Sequence, residues 1–166
     1  MFNARRLLVF AATYVLLYVL VLQSPAFERV FIEGLTVPAA AWAINALGLS
    51  AEPVVASGSR LIAPGGNLNV LRGCEGLDLL GLWLAAVAAG TFTWRQRCLA
   101  WALGSAAVFM LNQLRLISLW QLYRTHRAWF GDAHGLWWPL ALVAMVWTLY
   151  ALWPRGLAAT PMAVQR

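Results

Sequence analysis

The chain has 166 residues, of which 62% are hydrophobic and only 11% charged, with a mean hydropathy of +0.70 and a formal net charge of +6. Soluble domains carry about 45–50% apolar and about 25% charged residues, so there is too little polar surface here to cover a water-exposed globule. The same figures exclude disorder and a disulfide-rich secreted scaffold, and leave an integral membrane protein: one domain built on a few spanning helices.

All twelve cationic residues are arginine, placed singly or in pairs between apolar runs. A nucleic-acid binder would gather them on one polar face; here they mark the ends of spans. No metal or cofactor site is expected, because Cys74 and Cys98 lack neighbours at ligand spacing and the only histidines are His126 and His134.

In chain order, Leu7–Gln23 follows Arg5 and Arg6 as a first apolar span, read as uncleaved with a cytoplasmic N-terminus although Ser24-Pro25-Ala26 would suit a signal cleavage site. Ala26–Gly48 is amphipathic, and its apolar part Leu35–Leu49 falls short of the roughly 20 residues of a full span, which leaves open whether it crosses or lies along the surface. From Ser50 to Gly73, Pro53, Ser57-Gly58-Ser59 and Pro64-Gly65-Gly66 are turn residues between short strands at Arg60–Ala63 and Leu68–Leu71. Such backbone cannot face lipid, so a β-hairpin-like segment is expected at the membrane surface.

Glu75–Phe92 reads as a second span, Cys98–Tyr123 as a third, Arg124–Gly135 as a polar loop holding both histidines, and Leu136–Trp153 as the last span, closed by Pro154 and Arg155. The expected fold is thus an all-α membrane bundle of about four to five transmembrane helices over residues 1–155, with a disordered cytoplasmic tail at 156–166. Arg5/Arg6, Arg95/Arg97 and Arg155 then share the cytoplasmic face by a narrow margin. In either orientation, Cys74, Arg115 and His134 fall at one and the same membrane face, and a Cys74–Cys98 disulfide is disfavoured.

Arg115 is the strongest signal. An arginine in an apolar helix costs roughly 2.5–3.5 kcal/mol on insertion scales and normally faces a partner or a wet cavity. Its alternative is snorkelling to the polar loop beginning at Arg124. Asn112 shares its helical face. Cys74 alone would be a small apolar filler, but Arg72 and a helix starting at Glu75 both favour its thiolate, while the Glu75 carboxylate opposes it. His134 supplies a proton carrier, with His126 a rival for that role. Nucleophile, anion stabiliser and acid–base group on one face suit acyl transfer.

The series Leu68-Asn69-Val70-Leu71-Arg72-Gly73-Cys74-Glu75-Gly76, then Asn112-Gln113-Leu114-Arg115-Leu116, then His134, resembles the exosortase/archaeosortase family over about residues 26–150. That family shows a strand-rich stretch running into Cys-x-Gly, an Asn-x-x-Arg in a later helix, and a His before a final span. Many members carry Ser, Thr or Asn after the cysteine, where this chain has Glu75. The resemblance implies a multi-pass cysteine peptidase or transpeptidase of the cytoplasmic membrane, its site facing the periplasm or exterior. It would cleave C-terminal sorting signals of secreted proteins (a motif, one helix and a basic tail) through a Cys74 thioester passed to water or to a surface glycolipid or polysaccharide. Arg115 would stabilise the thiolate or oxyanion, His134 would protonate the leaving amine, and Asn112 would support them. The alternatives are a catalytically inactive homologue acting as a membrane scaffold or assembly subunit, and a haem or quinone anchor using His126 and His134.

Overall fold

The computed structural model describes residues 3–157 and is mostly helical. Helix α1 (Ala4–Leu17) is capped by the Asn3 side chain and ends in a wide π turn, Tyr18–Leu22. A second helical run combines α2 (Pro25–Phe31), a π turn at Ile32–Thr36 and α3 (Val37–Ala46). Three short strands follow, β1 (Val55–Ser57), β2 (Arg60–Ala63) and β3 (Gly66–Asn69), then α4 (Leu77–Ala89). The third run comprises α5 (Trp94–Leu99), a π turn at Ala100–Gly104 and α6 (Ser105–Thr125). The last comprises a 3-10 turn at Arg127–Trp129, α7 (Phe130–Asp132), a π turn at Ala133–Trp137 and α8 (Trp138–Leu157).

Among the described residues, three helical runs are long and apolar enough to cross a membrane: Ala4–Val21, Trp94–Thr125 and Arg127–Trp153. The four to five expected from the sequence therefore become three of membrane length, because α4 has only 13 residues, about 20 Å at 1.5 Å per residue. The apolar letters of Glu75–Phe92 do cluster as expected, but Gly76 and Gly90 cut the helix at both ends. Gly76 adopts φ +84°, and Gly90 turns to extended backbone at ψ 163°.

Prolines shape two junctions. Pro38 and Pro139 have no N–H to offer the carbonyl one turn back, at Gly34 and Gly135 respectively, and a π turn stands just before each. The region Arg124–Gly135, expected as a loop, holds the end of α6, a break at His126 and then a series of helical turns feeding α8. Likewise α8 does not stop at Pro154 but continues to Leu157. Of the expected tail, 156 and 157 are helical and 158–166 lie outside the described residues.

The strand segment is a three-stranded antiparallel sheet in the order β1-β2-β3. Pro64-Gly65, with Gly65 at φ +91°, forms the β2–β3 turn, so pairing starts with Ala63 opposite Gly66 and the last strand lies two residues before the expected Leu68–Leu71. Period-two alternation sends Leu61, Ala63, Leu68 and Val70 inward onto α3 and the C-terminal half of α6, where Ile44, Leu116 and Trp120 are buried with them. The Asn45 side chain clamps the sheet, donating to the Val54 carbonyl at 2.9 Å and accepting from its N–H at 2.8 Å. A second core lies within the helical bundle, around Trp83, Val87, Ala100, Val108 and Val146.

Leu35–Leu49 packs along one face only: Val37, Ala40, Ala41 and Ile44 are buried, whereas Trp42 is 73% exposed. In the bundle, Trp83 lies on Gly104 and donates from Nε1 to the Ala100 carbonyl at 3.0 Å. A Cβ added at Gly104 would sit 2.0 Å from the Trp83 ring. Gly104→Ala is therefore expected to lose about 1–3 kcal/mol by overpacking, read as a lower midpoint of thermal unfolding in detergent than the wild-type chain shows.

Candidate active site

Three segments remote in sequence meet at the edge of the core under the sheet: the turn after β3, α6, and the turns ahead of α8. Val70 continues the β2–β3 ladder by donating its N–H to the Ser59 carbonyl at 2.8 Å, and the chain then tightens into a turn in which Cys74 N–H bonds the Leu71 carbonyl at 2.9 Å. Cys74 thus sits on a turn between sheet and helix. The helix expected at Glu75 starts only at Leu77, so Cys74 lies outside its first turn and receives little help from the helix dipole, which falls off within that turn.

Arg115 reaches this turn from α6. It is 5% exposed, its Nη1 donates to the Gly73 carbonyl at 3.2 Å, and its Nη2 makes a long contact of 4.0 Å with Cys74 Sγ. Snorkelling to the polar end of the helix is thereby excluded. Asn112, one turn earlier and 1% exposed, donates from Nδ2 to the Cys74 carbonyl at 3.1 Å. Together the two side chains hold consecutive carbonyls of the cysteine turn. Arg115 Nε and Asn112 Oδ1 are buried with no hydrogen-bond partner among the described residues.

His134 comes from the π turn ahead of α8 and is half-buried, with Nε2 2.9 Å from Cys74 Sγ. Its ring stacks on Phe130 at 5.6 Å and 11°, and Phe130 packs edge-on against Tyr123 of α6 at 5.5 Å. The imidazole is thus held flat against a wall anchored to the helix that carries Arg115. His126, the rival, is exposed at the C-terminal end of α6 and takes no part. Cys74 and Cys98 are both free thiols.

Helix lengths explain the convergence. Arg115 lies about 32 Å from Trp94 along its run and His134 about 29 Å from Trp153, each close to the ~30 Å hydrocarbon thickness. Two runs of that length, meeting at His126, bring both residues to the same end of the helices, where the turn after the sheet delivers Cys74.

Gly76 completes the site, and its importance is hidden in the sequence. Its φ of +84° suits glycine, and an added Cβ would lie 2.7 Å from Asn112 Cγ; only a bare backbone lets the cysteine turn settle on α6. Phe130, too, carries no sequence signal, since the contact that makes it matter is spatial. Beside the segment Val70–Arg72, a cleft of about 280 Å³ is lined also by Arg29, Glu33 and Ser59, giving mixed-charge walls two residues upstream of the cysteine.

The thiol, which lies outside the membrane-length helices, titrates above the ordinary cysteine value. Burial pushes it up first, the Arg115 charge pulls it down, and the Glu75 carboxylate pushes it up again. Since the thiolate is the reactive form, Cys74 is expected to react with iodoacetamide more slowly at neutral pH than a free solvated thiol. Its rate should climb with pH into the alkaline range. Glu75→Gln removes an upward push and should speed alkylation at a fixed neutral pH, whereas Arg115→Ala should slow it; mass spectrometry of the modified protein reads both. Comparison with protein-family models, with curated proteins and with solved structures finds no match for this chain.

Proposed function

We propose that the chain is a membrane cysteine peptidase or transpeptidase of the exosortase/archaeosortase type, acting on C-terminal sorting signals of secreted proteins. The observation that carries this reading is the 2.9 Å approach of Cys74 Sγ and His134 Nε2, across 60 residues of sequence, with the Arg115 guanidinium against the sulfur. A thiol and an imidazole at hydrogen-bond distance, beside a buried cation, form an activated nucleophile.

In this mechanism His134 takes the thiol proton as Cys74 Sγ attacks a peptide carbonyl, forming the C–S bond and an oxyanion. Arg115, with Nε unsatisfied, stabilises that charge. Collapse of the intermediate breaks the C–N bond, and His134 returns its proton to the departing amine. Water or the hydroxyl of a surface acceptor then attacks the thioester, the C–S bond breaks, and the proton of the attacking group passes through His134 back to sulfur. Asn112 positions the turn without touching the reacting atoms. The raised thiol pKa fits a pair that rests neutral and transfers its proton only when substrate arrives. The mixed-charge cleft beside Val70–Arg72 is the place for the peptide on one side of the scissile bond. In this reading α4 forms a fourth, short crossing within the bundle, and the site faces away from the cytoplasm.

The test is co-expression with secreted proteins that end in a short motif, one apolar helix and a basic tail, followed by immunoblot for loss of that C-terminal segment. Cys74→Ala is expected to abolish processing. Arg115→Ala should lower its rate at least about a hundredfold, as loss of an oxyanion donor does elsewhere, while the protein still inserts. Processing that survives Cys74→Ala would refute the peptidase and favour a membrane scaffold.

A further inference from the structure

Along α4, from Leu79 to the end remote from Cys74 at Gly90, an open groove of about 570 Å³ runs between α1, α4 and α8. Its walls are apolar over most of their length, formed by Leu7 and Phe10 of α1, Leu82 and Ala86 of α4, and Val143 and Trp147 of α8. One end is different. Asn3, Arg6, Thr91 and Tyr150 line it, together with Gly90. The Tyr150 hydroxyl lies beside Gly90, where an added Cβ would be 2.9 Å from it, and Arg97 Nη2 donates to the Gly90 carbonyl at 3.1 Å. Two guanidinium groups therefore flank that end, and among the described residues no carboxylate lines the groove.

An apolar slot closed at one end by cationic and hydroxyl donors complements an amphiphile with an anionic head. We propose that the groove binds one anionic phospholipid, its phosphate at Arg6 and its acyl chains along the α1, α4 and α8 walls. A transmembrane helix followed by a basic tail is a poorer occupant, because the tail would meet Arg6 and Arg97 as like charges. The site stands independently of the peptidase chemistry, and its test reads lipid retention rather than cleavage.

Native mass spectrometry of the purified full-length chain, titrated with equal amounts of phosphatidylglycerol or phosphatidylcholine, measures occupancy directly. Wild type is expected to retain one phosphatidylglycerol per chain in preference to phosphatidylcholine. Arg6→Gln should lower that retention about fivefold, while Arg5→Gln, which makes the same change of charge outside the groove, should leave it unaltered. Ala86→Phe, filling the slot without altering charge, should expel the lipid. Equal retention of the two lipids, equal losses in Arg5→Gln and Arg6→Gln, or displacement of the lipid by an apolar helical peptide with a basic tail would each overturn the assignment.

Discussion

Burying a guanidinium costs several kcal/mol unless hydrogen bonds and geometry repay it, and in this chain the repayment dictates where the cysteine turn can lie. Arg115 gives one donor to the Gly73 carbonyl, Asn112 binds the next carbonyl along, and together they fasten the Gly73–Cys74 segment to α6. That fastening needs Gly76 bare of a Cβ, keeps α4 from starting before Leu77, and leaves the thiol facing His134. Removing Arg115 would therefore free a turn as well as delete a charge near sulfur.

The two cores have separate duties around this anchor. The inner one, centred on Trp83, joins α4, α6 and α8 and sets the relative heights of Arg115 and His134. The outer one seats the small sheet on α3 and the end of α6, and so fixes the direction from which the chain enters the cysteine turn. Neither alone assembles the site; Cys74 arrives with the sheet, while its two partners arrive on helices.

Much of this was legible in the sequence because the underlying rules are local. Apolar runs bounded by arginine marked the long helices, Pro64-Gly65 marked a turn, and an arginine amid apolar residues marked a buried polar contact. A count of four crossings placed Cys74, Arg115 and His134 at one face, and the three side chains do meet, although α4, one of the four counted, is shorter than membrane length. What escaped depended on longer-range geometry. Gly135 looks like loop punctuation, yet it lies within the π turn Ala133–Trp137 that runs straight into α8. The early start of β3 is decided by the turn before it rather than by its own letters. The role of Gly76 is invisible until Asn112 is seen against it, and the support that Phe130 gives His134 depends on a stacked contact in space.

The brevity of α4 has a consequence for the chain on either side of it. At 13 residues it is about 20 Å long, while the runs packed beside it are of membrane length. A short helix among longer ones leaves the backbone before and after it inside the bundle, where peptide groups need partners other than water. Side chains supply them at both ends: Arg115 and Asn112 bind the Gly73 and Cys74 carbonyls ahead of α4, and Arg97 binds the Gly90 carbonyl behind it. The arginines that read as span boundaries in the sequence thus include one that serves as the cap of a helix too short to reach the surface by itself.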